Sequence, residues 1–121
     1  MKFPEYKIIA QEQTVETHNI DVEINVSADL DFFDGHFDQV AILPAVAQLF
    51  MVKKLADKHL SVNGSFAGLR QIKFKSPIKP NPRTILFIEH KVAQNQLFFK
   101  YEHLGQLKSK GILQFEQQVS T

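Results

Sequence analysis

A histidine sits between aromatic residues and just after a glycine in Phe32-Phe33-Asp34-Gly35-His36-Phe37, ahead of the apolar run Ile42 to Val52. Imidazole is the side chain that exchanges protons near neutral pH, so His36 at the mouth of the run is where chemistry could sit. The phenylalanines beside it would hold the ring and restrict water. The competing reading is a structural histidine in an aromatic pocket. Within the apolar run the one strongly polar side chain is Gln48. It could hold a substrate hydroxyl or a water, and could equally satisfy backbone groups beside the helix. Asp34 and Asp38 read better as loop and cap residues than as acids.

The rest of the chain offers little rival chemistry. His18, His59, His90 and His103 lack metal-ligand spacing. No glycine-rich phosphate loop and no nucleophilic serine motif occurs, and no metal or cofactor is expected. The chain has no cysteine, which excludes disulfides and thiolate metal sites and fits a reducing cytoplasm. Fourteen basic and thirteen acidic residues give a net charge of +1, which implies no general affinity for nucleic acid or membranes. Lys73, Lys75, Lys79 and Arg83 do form a basic run, of the kind an acidic partner would need. No signal peptide opens the chain, and no apolar run reaches the roughly 18 residues of a membrane span.

The elements that must position His36 and Gln48 follow from periodicity. At 121 residues the chain, 1–121, is expected to be one domain. Tyr6 to Val15 reads as a first strand. Ile20, Val22, Ile24 and Val26 alternate with polar residues, so one face of a second strand is buried. The apolar run continues into Lys53-Lys54-Leu55-Ala56-Asp57-Lys58, which favours a buried helix emerging into water. Pro44 is tolerable only in a first turn, so the helix is expected from about Leu43 to Leu60, roughly 27 Å long.

Strands then follow one another. Phe66 to Lys75 is expected to set Arg70, Ile72 and Phe74 on one face. The prolines of Ser76 to Pro82 break the ladder. Strands Thr84 to Val92, Leu97 to Glu102 and Leu107 to Gln117 are joined by short turns, which makes an antiparallel meander. The tail to Thr121 is expected to fray. One long helix among about six strands is an α+β design in which the sheet curls round the helix.

Phe33-Asp34-Gly35-His36-Phe37, Ile42-Leu43-Pro44 and Val46-Ala47-Gln48-Leu49 together resemble the hot-dog 3-hydroxyacyl-acyl-carrier-protein dehydratases. The similarity is greatest to the small ApeI-like branch of aryl-polyene biosynthesis. The stretch Gly68 to Pro80, with Phe74, Pro77 and Pro80 in register, is similar to that family's second motif. The resemblance covers nearly the whole chain and implies a hot-dog fold, an antiparallel sheet wrapped around one long central helix, working as a dimer. It implies an acyl substrate carried as a thioester on acyl carrier protein or coenzyme A. The partner subunit would be the same chain or a related hot-dog subunit, with no nucleic acid, no membrane and a cytoplasmic location.

Residue by residue, the resemblance makes His36 the base that removes the α-proton. Ala45 takes the place of a family glycine and keeps the backbone N–H that would polarise the thioester oxygen. Gln48 falls on the motif glutamine, and Phe33, Gly35, Phe37 and Phe50 would line the substrate site. The family's acid belongs fourteen residues after the histidine, and there this chain has Phe50, which can neither give nor accept a proton. Asp38 and Ala41 replace two family prolines, and Asp57 lies too far along the helix to substitute. Three functions are therefore expected to compete. One is a dehydratase in which Gln48 and water stand in for the acid. Another is a hot-dog thioesterase. The third is a non-catalytic acyl-binding or heterodimerising subunit.

Overall fold

The computed structural model describes residues 3–30 and 42–117. Six strands and one helix appear in the order β1 (Tyr6–Gln13), β2 (Thr17–Val26), α1 (Ala45–His59), β3 (Phe66–Phe74), β4 (Asn81–Lys91), β5 (Gln96–His103) and β6 (Gln106–Phe115). All six strands form one sheet in the order β1-β2-β4-β5-β6-β3, with antiparallel neighbours throughout. The chain segment containing α1 carries β3 to the edge opposite β1. The frayed tail expected at the C-terminus falls on residues outside the described set.

The core is the helix seated on the concave face of this sheet. Ala47, Gln48, Met51, Val52, Leu55 and Ala56 are buried, a stripe repeating at three and four residues, which is one face of an α-helix. Ile20, Val22, Ile24 and Val26 of β2 meet it, with Leu86 and Ile88 of β4, Leu97, Phe99 and Tyr101 of β5, and Leu113 and Phe115 of β6. Strict alternation in β2 and β4 sends each second residue inward.

Three expectations about boundaries and faces are corrected. The helix starts at Ala45, and Pro44, at φ −69° and ψ 158°, is its extended N-cap rather than a helical residue. Leu43 is drawn off the helical path because its N–H donates to the Ile78 carbonyl at 2.8 Å. Strand β4 begins at Asn81 and takes in Pro82, where the pairing with β2 is already bulged and one missing donor matters little. Arg70, Ile72 and Phe74 do not share a face. A bulge between Arg70 and Lys73, with Gln71 at φ 52°, interrupts the alternation of β3.

The far end of the helix is tied down by Asn95 in the β4–β5 turn. Its Oδ1 accepts from His90 Nε2 at 2.9 Å, and its Nδ2 donates to the carbonyls of Asn63 (2.5 Å) and Glu116 (2.9 Å). Gly64 lies in the same knot at φ +94°, and a Cβ there would stand 2.5 Å from the Glu116 carbonyl oxygen. Gly64→Ala is expected to lower stability by at least about 1–2 kcal/mol from the left-handed backbone alone, measured by chemical denaturation.

Tyr101 supplies a second pin, its fully buried hydroxyl donating to the Gln48 carbonyl at 2.6 Å. Burial pushes the Tyr101 phenol well above its ordinary value of 10.0. The folded state then holds this proton more tightly than the unfolded chain. Its contribution to stability is complete below pH 10 and is lost as pH rises above that. Tyr101→Phe should cost about 0.5–1.5 kcal/mol at neutral pH. It should also remove part of the alkaline loss, which denaturation at neutral and alkaline pH will reveal.

Candidate functional site

Of the expected site residues, Ala45 and Gln48 lie in the first turn of α1. Proline at the N-cap leaves the helix without a side-chain cap, and no acidic residue occupies the first turn. The Pro44 carbonyl accepts from both Ala47 N and Gln48 N at 3.1 Å. Those are the first bonds of the helix, so the N–H groups of Ala45 and Val46 lie ahead of them at the positive pole of the helix dipole. Ala45 and Val46 are both exposed. An oxygen acquiring negative charge is the chemistry such a pair of donors suits.

Gln48 is 4% exposed, and its amide is bonded on both sides. Its Nε2 donates to the Leu43 carbonyl at 3.1 Å, and its Oε1 accepts from Ser109 Oγ at 2.6 Å. These bonds leave one amide hydrogen and one lone pair for anything else. Ser109 was not among the residues singled out from sequence, although a signal existed. It has the inward parity of Leu113 and Phe115 on β6, and a serine there needs a polar partner in the core.

Phe50 lies on a different face of the helix from Gln48 and is half-buried. Its ring packs 6.3 Å from that of Phe3, and Lys54 Nζ stands 5.7 Å from its centroid. Phe3 continues to Tyr6, whose hydroxyl bonds His59 Nε2 at 2.9 Å. Phe3, Pro4, Tyr6, Phe50, Lys54 and Lys58 line much of a cleft of about 600 Å³ running along the helix. Burial, and then the neighbouring Lys58 ammonium, hold His59 below its ordinary 6.5. Asp57 is ion-paired with Lys53 and also lines this cleft, one side of which is therefore acidic.

His36, Phe33, Gly35 and Phe37 lie outside the described residues, as do Asp34, Asp38 and Ala41. Of the expected site, the structure therefore describes Ala45, Gln48 and Phe50. Among the described residues no group of three histidine, cysteine or acidic side chains could hold a metal ion. No described helix is long and apolar enough to cross a membrane.

Two surfaces adjoin the helix start. The Leu43–Ile78 bond brings the proline turn against it, and Ser76, Lys79, His103 and Lys108 border a cleft of about 360 Å³ there. The second surface is the edge strand β3, on which Phe66, Leu69 and Phe74 are 53%, 46% and 47% exposed. Val46 on the first turn of α1 is 67% exposed. Large apolar side chains along an unpaired edge are the usual mark of an interaction surface.

Residues 11–112 match the ApeI-like family, described as ApeI dehydratase. A crystal structure of an uncharacterized protein from Erwinia carotovora subsp. atroseptica superimposes with a TM-score of 0.84 at 28% identity, covering 96% of this chain and 98% of that one. The dehydratase heterocomplex ApeI:P from Xenorhabdus doucetiae gives a TM-score of 0.68 at 30% identity, over 94% of this chain and 97% of the other. The 3-hydroxyacyl-[acyl-carrier-protein] dehydratase FabZ of Clostridium botulinum (strain Eklund 17B / Type B) is 32% identical over 72 residues, 54% of this chain. The chain spans about half the length of that relative, 51% of it. A match over most of the chain, with the same sheet and helix in solved relatives, carries one conclusion: this protein belongs to the ApeI-like dehydratase family and has the hot-dog fold.

Proposed function

We propose that this chain is the base-bearing half of a 3-hydroxyacyl thioester dehydratase whose acid comes from a second, related hot-dog subunit. The observation that carries the reading is the state of the helix. Its start retains donors suited to a thioester oxygen, whereas position 50 holds a phenylalanine packed on Phe3. Gln48 is bonded to Leu43 and Ser109, and a neutral amide is no proton donor near pH 7, which argues against its replacing the acid. The name of the Xenorhabdus doucetiae neighbour, a dehydratase heterocomplex, is in keeping with a two-chain enzyme.

The steps balance without a cofactor. His36 takes the proton from C2 of the 3-hydroxyacyl group, and the Ala45 N–H stabilises the charge that moves onto the thioester oxygen. The electron pair then forms the C2–C3 double bond as the C3–O bond breaks. The departing hydroxyl takes a proton from the partner's acid and leaves as water, giving the trans-2-enoyl thioester. An isolated pair of these chains has the base without the acid, a deficit of about 10²- to 10⁴-fold. The substrate would arrive on acyl carrier protein or coenzyme A. Lys79 and Lys108 beside the helix start suit the phosphate of the carrier arm and an acidic carrier surface.

The test is to incubate the protein with a 3-hydroxyacyl carrier-protein thioester and follow loss of water by mass spectrometry. Little turnover is expected from the chain alone and strong turnover on adding a homologue with a carboxylate at the position of Phe50. His36→Ala should abolish the mixed activity. Phe50→Glu should raise the activity of the chain alone by about 10²- to 10⁴-fold. No water loss in either condition would defeat the dehydratase reading, and release of free acid would point to a thioesterase.

Pairing through β3 gives a separate expectation. Leu69→Asp and Phe74→Asp should convert a dimer to monomers in light scattering, with the fold retained by circular dichroism. A dimer that survives both changes must use another surface.

A further inference from the structure

The geometry points to Ser109 as a positioning residue that acts through Gln48 to set the direction of the leading N–H groups of α1. This inference rests on the proposed use of the Ala45 N–H at a thioester oxygen. Ser109 lies on β6, is 1% exposed, and is separated from Gln48 by 61 positions in the chain. Its hydroxyl donates to Gln48 Oε1 at 2.6 Å and holds that end of the amide in place, while the Leu43 carbonyl, which can only accept, requires Nε2 at the other end. With the oxygen turned to Ser109, the Nε2 donor is turned to the Leu43 carbonyl. Were the amide reversed, two oxygens would face each other at Leu43 and a buried acceptor would go unmet.

Leu43 is the residue on which this orientation acts. It precedes the N-cap, and the first helical N–H groups, those of Ala47 and Gln48, bond the Pro44 carbonyl. The Leu43 carbonyl is thus outside the helical ladder and is held by the Gln48 side chain. The Leu43 N–H is held by Ile78 on the proline turn. One backbone group of this residue is held by the helix side chain of Gln48 and the other by the proline turn, so the peptide leading into Pro44 has a set plane. Pro44 has its φ locked by its ring, and its carbonyl, accepting from Ala47 N and Gln48 N, sets the next peptide and with it the Ala45 N–H. The Tyr101 hydroxyl on the Gln48 carbonyl anchors the same turn from a second strand. An oxyanion donor is useful only when aimed in advance, and small misplacements cost about 10²-fold.

The experiment compares Ser109→Ala, Ser109→Thr, Gln48→Met and the double variant S109A/Q48M. Each is assayed for kcat and KM on the 3-hydroxyacyl thioester, with whichever partner supports turnover. The amide resonances of Leu43, Ala45 and Val46 are followed by ¹⁵N NMR. Ser109→Ala should lower kcat by about 10- to 10²-fold, change KM less than about twofold, and move those three resonances. Ser109→Thr, which keeps the hydroxyl, should restore both readouts. The double variant should lose no more than Gln48→Met alone, because the two residues act in series. Unmoved resonances in a folded Ser109→Ala, or a kcat loss that Ser109→Thr fails to restore, would overturn the assignment. If the unmodified protein turns nothing over with any partner, the dehydratase reading fails instead. The resonance shifts and their rescue then decide the relay alone. If Ser109→Ala does not fold, Ser109→Cys makes the same comparison, since a thiol of similar shape is a much weaker donor to Gln48 Oε1.

Discussion

Everything described here depends on a helix that is buried along one stripe but must begin with a proline. The stripe from Ala47 to Ala56 has to be covered, and one sheet does the covering. Proline at the N-cap supplies no side-chain acceptor for the first turn and keeps Leu43 off the helical path. The missing cap is offset by bonds of other kinds. The Gln48 side chain on the helix itself, with Ser109, Tyr101 and Ile78 from β6, β5 and the proline turn, places four hydrogen bonds around that one turn. Local weakness at the helix start is thus converted into dependence on long-range order. The start is well defined only when the sheet has formed.

That arrangement explains how far the sequence could be read. Strands β2 and β5 are legible from a period of two, β4 and β6 from the turns that bound them, and the helix because its apolar run is long. The start of α1 was placed two residues early because Pro44 suits a first turn by its φ, whereas the Leu43–Ile78 bond is made by residues 35 positions apart. The bulge at Gln71 was hidden for a related reason. A non-glycine residue at positive φ on an edge strand leaves no mark in polarity. The role of Gln48 could be stated only as a pair of alternatives, since its partner Ser109 lies on the last strand. An inward-facing serine between Leu107 and Leu113 was the available clue.

The aromatic row from Phe50 through Phe3 to Tyr6 belongs to the same account. In a site that needed a carboxylate at position 50, the row would bring an apolar wall against a charge and disfavour ionisation. With Phe50 there, the wall is continuous, and Lys54 and Lys58 lie over its rings. Phe50 and Phe3 are thus mutually consistent in packing.

The two rims of the sheet are unlike each other, and this sets a limit on growth. β3 offers Phe66, Leu69 and Phe74 to an incoming strand, whereas β1 exposes Ile9 alone between Lys7 and Glu12 and is kinked between Ile8 and Ala10. A sheet with two matching rims can add copies without end, as fibres do. Were two copies to join through β3 about a two-fold axis, the larger apolar rim of both would be covered and only the kinked rims would face outward. Growth would then stop at two.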